Sequence, residues 1–268
     1  MQSGARRIPR VLTIAGSDSG GGAGIQADLK AFAHAGVYGM SAITAITAQN
    51  TVAVTGIYPL PPEAIVDQVR AVAEDIGVDA VKIGMLGNTE TIEAVARALD
   101  LVGQAPTVLD PVMVAESGAE LLEPGARDAL RALLVPRVTA ITPNLPEARL
   151  LAAAPGGAPE DLARALQALG PEFVVVTGGH RDQAVDVFFD GATLAEIAGE
   201  RYDSGAAHGS GCTHSSTLAA QLALGRTPLE AAREAKRVAS AAVRDGLDEI
   251  GAGAGPVDVL GLARRGGD

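Results

Sequence analysis

Short aliphatic runs alternate with longer stretches of helical spacing along most of this 268-residue chain, and that alternation restricts the fold more than any other feature. Residues 11–15, 41–48, 80–83, 107–109, 138–141 and 173–176 read as strands, rich in Val, Ile, Leu and Thr. Between them, residues 25–35 read as a helix closed by Gly36, and residues 61–76 as a helix opened by Pro61-Pro62. Residues 89–101, 124–134, 147–153 and 159–169 read as further helices. Asp190-Gly191, flanked by 185–189 and 193–197, is a hairpin signal, and helices over 211–224 and 228–245 close the pattern. Repeated strand–helix–strand units build a mostly parallel sheet with helices on both faces, and the hairpin adds antiparallel strands late in the sheet. No linker, repeat or low-complexity tract interrupts the pattern. The expectation is one α/β domain over residues 1–268, with 1–9 and 256–268 as flexible ends and 251–255 as loop.

Composition narrows the class. Apolar residues make up 47% of the chain and aromatics only 3%, the balance of aliphatic strands packed under Ala-rich helices. A net charge of −11 argues against a general nucleic-acid or anionic-membrane binder. Any phosphate is then held by local amides and a metal, not by the overall field. The single cysteine excludes an intrachain disulfide and fits a reducing compartment. No apolar run reaches membrane-spanning length, and the basic first ten residues lack a signal-peptide core. The expectation is a cytoplasmic protein.

Ligands of such sheets sit beyond the carboxyl ends of the strands. Those ends carry Gly16-Ser17-Asp18, Gln49-Asn50, Gly84-Met85, Asp110, Asn144 and Thr177-Gly178-Gly179. The loop 16–24 holds five glycines, which permit close backbone approach to a ligand or a mobile flap. Its Gly22-Ala23-Gly24-Ile25-Gln26-Ala27 formally fits a dinucleotide fingerprint, but it lies well past the strand end and the next strand carries no acidic residue for a ribose. No phosphate-loop lysine motif is present. The segment His208-Gly209-Ser210-Gly211-Cys212-Thr213 is a glycine turn leading straight into a helix, where unpaired N–H groups and the dipole favour an anion. Cys212 sits there, and a helix N-terminus is expected to lower a thiol pKa, although a lone cysteine also fits a small buried hydrophobe. Asp110 and Glu147 could hold Mg²⁺, with Glu147 equally suited to the first turn of a helix after Asn144. Gln49 can pair with an amide-like ring edge, while Asp28 could face a hydroxyl and Met85 could simply fill the core. The histidines at 34, 180, 208 and 214 show no metal-ligand spacing, and His208 stands beside the anion turn.

The motifs 14–30, 44–50, Lys82-Ile83-Gly84-Met85-Leu86, Leu109-Asp110-Pro111-Val112-Met113, 141–148 and 208–213 occur in order from about residue 10 to residue 255. Together they are similar to the bacterial hydroxymethylpyrimidine/phosphomethylpyrimidine kinases of thiamine biosynthesis, members of the ribokinase-like superfamily. The resemblance implies a three-layer α/β/α sandwich with a mostly parallel sheet. It also implies two phosphorylations at one site with ATP and Mg²⁺, first of the pyrimidine's hydroxymethyl group and then of the monophosphate. By motif, it places Gln49 on the aminopyrimidine, Asp28 near the hydroxymethyl group, Met85 as a wall of the ring and Gly16 in the same subsite. Gly209 and Gly211 would lend amides to the transferring phosphoryl group, and Cys212 would hold the base position. Asp110 and Glu147 would serve Mg²⁺, and Asn144, Thr177, Gly179 and Ser210 the nucleotide. A homodimer is also implied. Two positions depart from the family pattern: Thr177, where lysine is frequent, and His214, where smaller or apolar residues are common. The alternatives are a pyridoxal or pyridoxine kinase of the same fold and a non-catalytic pyrimidine-binding protein.

Overall fold

The computed structural model describes residues 7–178, 184–202 and 206–265. Nine strands form one sheet. They are β1 (Arg10–Asp18), β2 (Tyr38–Gln49), β3 (Val54–Pro59), β4 (Ala80–Ile83), β5 (Thr107–Leu109), β6 (Ala140–Ile141), β7 (Phe173–Val176), β8 (Asp186–Phe189) and β9 (Leu194–Ile197). Their order across the sheet is β3-β2-β1-β4-β5-β6-β7-β8-β9. From β2 across to β7 the strands pair in parallel, whereas β3 pairs antiparallel with β2 at one edge and β8 pairs antiparallel with both β7 and β9 at the other. The chain leaves β1 toward β2 and later returns to pair β4 on the other side of β1, so the topological switch point lies between β1 and β4.

The helices are α1 (Gly24–Ala35), α2 (Pro62–Asp75), α3 (Thr89–Ala98), α4 (Ala126–Ala129), α5 (Leu145–Leu151), α6 (Pro159–Gln167), α7 (Ser210–Ala223), α8 (Pro228–Arg244) and α9 (Leu262–Arg265). Two cores lie on the two faces of the sheet. Leu12 and Ile14 of β1 pack with α2, α3, α5 and α6, while Val11 packs with α1, α7 and α8 on the opposite face. The three-layer α/β/α sandwich is therefore present, and β1 is buried almost throughout because both of its faces are covered. Phe173 and Phe188 meet in the second core with centroids 5.5 Å apart.

Local chemistry explains most boundaries. Gly36 ends α1 in the left-handed region (φ 74°), where a glycine costs nothing. Asn88 caps α3 with its side chain, and Asn144 with Glu147 forms a reciprocal capping box on α5.

Three segments differ from the sequence expectation. β3 reads as loop because it alternates weakly and its outer face is exposed, yet Asn50 closes a hairpin onto it by accepting from Val52 and Ala53 N–H at 2.9 Å each. The helix expected over 124–134 is the single α turn α4 running into a wider turn over 130–134, and Pro136, which has no N–H to donate, follows at once. Residues 256–259, expected in a loose end, are packed: Val257 and Val259 are buried against Val238 and Ala242.

Phe188→Ala should destabilise the protein by about 3–5 kcal/mol, read as a fall in the urea midpoint at unchanged slope. A loss below about 1 kcal/mol would contradict this placement of the second core.

Candidate active site

A cleft of about 630 Å³ opens beyond the carboxyl ends of the parallel strands. Gly16, Thr47, Gln49 and Met85 line it at the β1–β2 end, and Asn144, Thr177, Lys236 and Ser240 line it toward β6, β7 and α8. The first turn of α7, from Gly209 to Cys212, lies on its wall. Residues 112–116 and Leu121 also line it, so the segment after β5 overhangs the site. The Asp190-Gly191 turn does not line the cleft.

The floor rests on a buried ion pair. Lys82 Nζ donates to both oxygens of Asp28, at 2.9 and 3.1 Å, and both side chains are fully buried. Thr13 Oγ1 and Ser216 Oγ complete the Asp28 carboxylate at 2.6 and 2.7 Å. Asp28 is thus saturated beneath the site and does not line the cleft, which corrects its expected place beside a substrate hydroxyl. Burial alone would lower the Lys82 pKa, but the Asp28 carboxylate, helped by Asp110, outweighs it and holds the ammonium above the ordinary lysine range. Gly84 makes the room, because a Cβ there would lie 2.7 Å from Lys82 Nζ.

The anion turn has the expected form. Gly209 is left-handed (φ 84°) and no side chain caps α7. Ser210 N–H bonds Ala207 O and Thr213 N–H bonds Gly209 O, so among the described residues the N–H groups of Gly211 and Cys212 have no acceptor. A Cβ on Gly211 would meet nothing within 4 Å, leaving space above these donors. Cys212 does not behave as expected of a thiol at a helix N-terminus. Burial, followed by Asp28 and Asp110, pushes its pKa up to about 12 against the opposing pull of Lys82. The thiol is therefore neutral at pH 7, and the dipole argument loses to desolvation.

Asp110 and Glu147 form the acidic part of the cleft. Asp110 accepts from Ser215 Oγ at 2.9 Å, and burial raises its pKa although Lys82 opposes this. Burial and then Asp110 push the Glu147 pKa up to about 8. Glu147 also accepts from Asn144 N–H at 2.9 Å, so it caps α5 and faces the cleft together. Two buried carboxyl groups, with Asp110 disfavouring the charge of Glu147, offer hard oxygens of the kind Mg²⁺ takes, commonly one or two protein carboxylates plus water and phosphate oxygens. Among the described residues no group of three or more His, Cys, Asp or Glu is placed to hold a metal ion.

Gly16, Gln49, Met85, Asp110, Asn144, Glu147, Thr177, Gly209, Ser210, Gly211 and Cys212 all line this one cleft. Gly16 abuts Met85, whose Cε would lie 2.9 Å from an added Cβ, and Gln49 Oε1 accepts from Thr47 Oγ1 at 3.1 Å. Gly179 lies outside the described residues. Sequence reasoning gave no role to Lys82, Asp186 or Lys236. Lysine within the apolar run Ala80-Val81-Lys82-Ile83 is the signal that was available. Asp186 accepts from Lys236 Nζ at 2.7 Å and from Gly178 N–H at 2.8 Å. Burial works against its charge, but His214 and Lys236 hold its pKa below the usual carboxylate value. His214 Nε2 lies 3.1 Å from Asp186 Oδ2 off the line of an aligned hydrogen bond, so the contact is electrostatic.

A cleft lined by Gln49 and Met85, by two helix amides that have no acceptor among the described residues, and by the carboxyl groups of Asp110 and Glu147 fits a kinase of small molecules. The chain belongs to the phosphomethylpyrimidine kinase family, whose sequence profile matches residues 18–258. It is 44% identical to the hydroxymethylpyrimidine/phosphomethylpyrimidine kinase of Bacillus subtilis, covering 96% of this chain and 97% of that one. It is 49% identical to the protein of the same name from Rhizobium meliloti, covering 92% and 95%. Among solved structures, the pyridoxal kinase from Staphylococcus aureus in complex with ADP superposes with a TM-score of 0.87 at 34% identity, over 97% of this chain and 96% of that one. The phosphomethylpyrimidine kinase from Clostridium difficile superposes with a TM-score of 0.75 at 41% identity, over 85% and 96%. The ribokinase-like fold and the phosphotransferase class stand on these together.

Two outcomes test this electrostatic picture. Lys82→Met should cost about 3–5 kcal/mol by stranding the Asp28 charge, and Lys82→Met with Asp28→Asn should recover part of it; equal losses in chemical denaturation would contradict the pairing. Glu147 binds its proton more tightly folded than unfolded, so between its ordinary value of 4.5 and about 8 the metal-free protein should lose stability as pH rises. Glu147→Gln should flatten that slope in thermal melts recorded across the window, and an unchanged slope would assign it elsewhere.

Proposed function

We propose that this protein phosphorylates 4-amino-5-hydroxymethyl-2-methylpyrimidine with ATP and Mg²⁺, and then phosphorylates the monophosphate to the diphosphate, supplying thiamine biosynthesis. The observation that carries this reading is the cleft itself, lined by Gln49 and Met85 at the ends of β2 and β4 and by the Gly211 and Cys212 amides, which have no acceptor among the described residues, together with Asp110 and Glu147. Relatives named for both pyrimidine steps are more similar in sequence, at 44–49% in the two compared, than the superposed pyridoxal kinase at 34%. The chain acts as one kinase domain in the cytoplasm, in keeping with a single cysteine and with the absence of any membrane-crossing helix among the described residues. It works as a homodimer, for which the exposed, cross-strand paired Ile46 of β2 and Tyr58 of the edge strand β3 provide an apolar face.

Gln49 offers donor and acceptor to the aminopyrimidine edge, and Met85 packed on Gly16 limits the ring's thickness. The hydroxymethyl oxygen then faces the Gly209–Cys212 turn. As the phosphoryl group passes from ATP, its oxygens gain the Gly211 and Cys212 N–H groups, while Asn144, Thr177 and Ser210 seat the nucleotide. Mg²⁺ held by Asp110 and Glu147 would neutralise phosphate charge during transfer. Overhang by residues 112–121 excludes water that would otherwise take the phosphoryl group. Because the transition state is loose, a strong base is not required of the acceptor side, and the neutral Cys212 thiol serves as a wall of the turn.

The direct test is ADP release with Mg-ATP and the hydroxymethylpyrimidine, with pyridoxal in parallel and products followed by mass. Sequential mono- and diphosphate from the pyrimidine is expected. Turnover of pyridoxal alone would move the assignment to that ring, and binding without ADP release would leave a non-catalytic pyrimidine binder. Cys212→Ala should slow both phosphorylations by the same factor. A loss of about 10²-fold confined to the first step would restore a base role for the thiol.

A further inference from the structure

The glycine loop and the anion turn are joined by one buried contact. Asp18, at the end of β1, takes Gly20 N–H on Oδ1 at 2.8 Å, and Gly22 and Ala23 N–H on Oδ2 at 3.0 and 2.9 Å. His208 Nε2 lies 2.9 Å from that same Oδ2, and both side chains are nine-tenths buried or more. Burial would raise the Asp18 pKa, but His208 and the loop amides hold it below the usual range, so it stays a charged acceptor. The backbones also touch: a Cβ on Gly209 would lie 1.8 Å from Gly22 O, and one on Gly22 would lie 2.2 Å from the His208 ring. His208 is anchored from behind, its N–H bonding Gly255 O and its carbonyl accepting Val257 N–H. The loop is fastened further by Gln26, which accepts from Asp18 N–H and donates to Ser17, and by Lys30, which donates to Gly21 O.

We propose that His208 is a positioning residue which, through Asp18, locks the glycine loop at the acceptor end of the cleft to the Gly209–Cys212 turn at the phosphoryl end, so that the turn's amides keep their aim only while this contact is intact. The catalytic part of this rests on the kinase assignment above; the mechanical coupling does not. Movement of the loop by even 1 Å shifts Gly22 against Gly209, and with it the direction of the Gly211 and Cys212 N–H groups. Donors misplaced on that scale lose about 10²-fold in transfer rate.

The test has two arms on the full-length protein. In the first, without substrate, amide hydrogen exchange is followed in residues 18–24 and 209–213. Asp18→Asn is expected to speed exchange in the distant 209–213 segment, and His208→Ala in 18–24, with the double variant adding little to either single change. Effects confined to each variant's own segment would overturn the coupling. The second arm is steady-state kinetics with the hydroxymethylpyrimidine. His208→Ala should lower kcat by about 10²-fold with KM for Mg-ATP near its original value, and His208→Gln, which keeps an N–H where Nε2 stood, should recover most of the loss. An unchanged kcat, or a loss in the glutamine variant as large as in the alanine variant, would overturn the positioning role. A wild-type protein that fails to turn over the pyrimidine removes the substrate assignment and leaves the exchange arm to decide the coupling.

Discussion

The Lys82–Asp28 ion pair is the contact on which the cleft depends. Two full charges without access to water cost several kcal/mol each unless they meet each other and satisfy their remaining hydrogen-bonding groups. Here the carboxylate is completed by Thr13 and Ser216 and the ammonium by both carboxylate oxygens. The residues come from β1, α1, β4 and α7, so the pair can form only when those elements are assembled in one arrangement. That arrangement sets the height of the anion turn above the sheet, because Ser216 lies within the first two turns of α7. It also gives the floor a cation among Asp28, Asp110 and the Cys212 thiol.

Glycine then sets how closely the two sides of the cleft approach. A Cβ on Gly24 would lie 2.3 Å from Gly16 O, and the corresponding distance at Gly209 is 1.8 Å to Gly22 O. Both positions also have positive φ, at 57° and 84°, so they exclude other residues on steric and conformational grounds together. The glycine-rich loop is consequently a tied structure, fixed by Asp18, Gln26 and Lys30, and not the free flap its composition suggests. The segment that overhangs the cleft is 112–121, with a short bridge between Val114 and Glu120.

The fold was legible in the sequence because parallel strands buried on both faces appear as continuous aliphatic runs, and residues 80–83 and 173–176 match their strands without correction. β3 was not legible, since an exposed edge strand carries little hydrophobic signal. Within the site, motif reading found the cleft-lining residues from Gly16 to Cys212. It misplaced Asp28, which a sequence shows only as a helix carboxylate; the decision to bury it is made by Lys82, 54 positions away. The reading of Cys212 failed for a related reason. A helix N-terminus is visible in sequence, but the desolvation of this half-buried thiol and its nearness to Asp28 and Asp110 arise only in the assembled fold.

The superposed pyridoxal kinase, named for a different aromatic alcohol, shares this architecture; in the function proposed for this chain, the acceptor is accordingly chosen at the end of the cleft lined by Gln49, Met85 and Gly16. The central claim is that the acceptor hydroxymethyl group and the transferring phosphoryl group meet at the Gly209–Cys212 turn. A crystal structure with the hydroxymethylpyrimidine, Mg²⁺ and a non-hydrolysable ATP analogue tests it most directly. The account predicts the terminal phosphate within hydrogen-bonding distance of the Gly211 and Cys212 N–H groups, the ring between Met85 and Gln49, and Asp28 still bonded to Lys82. A terminal phosphate seated away from that turn, or a ring contacting Asp28 in place of Lys82, would contradict it.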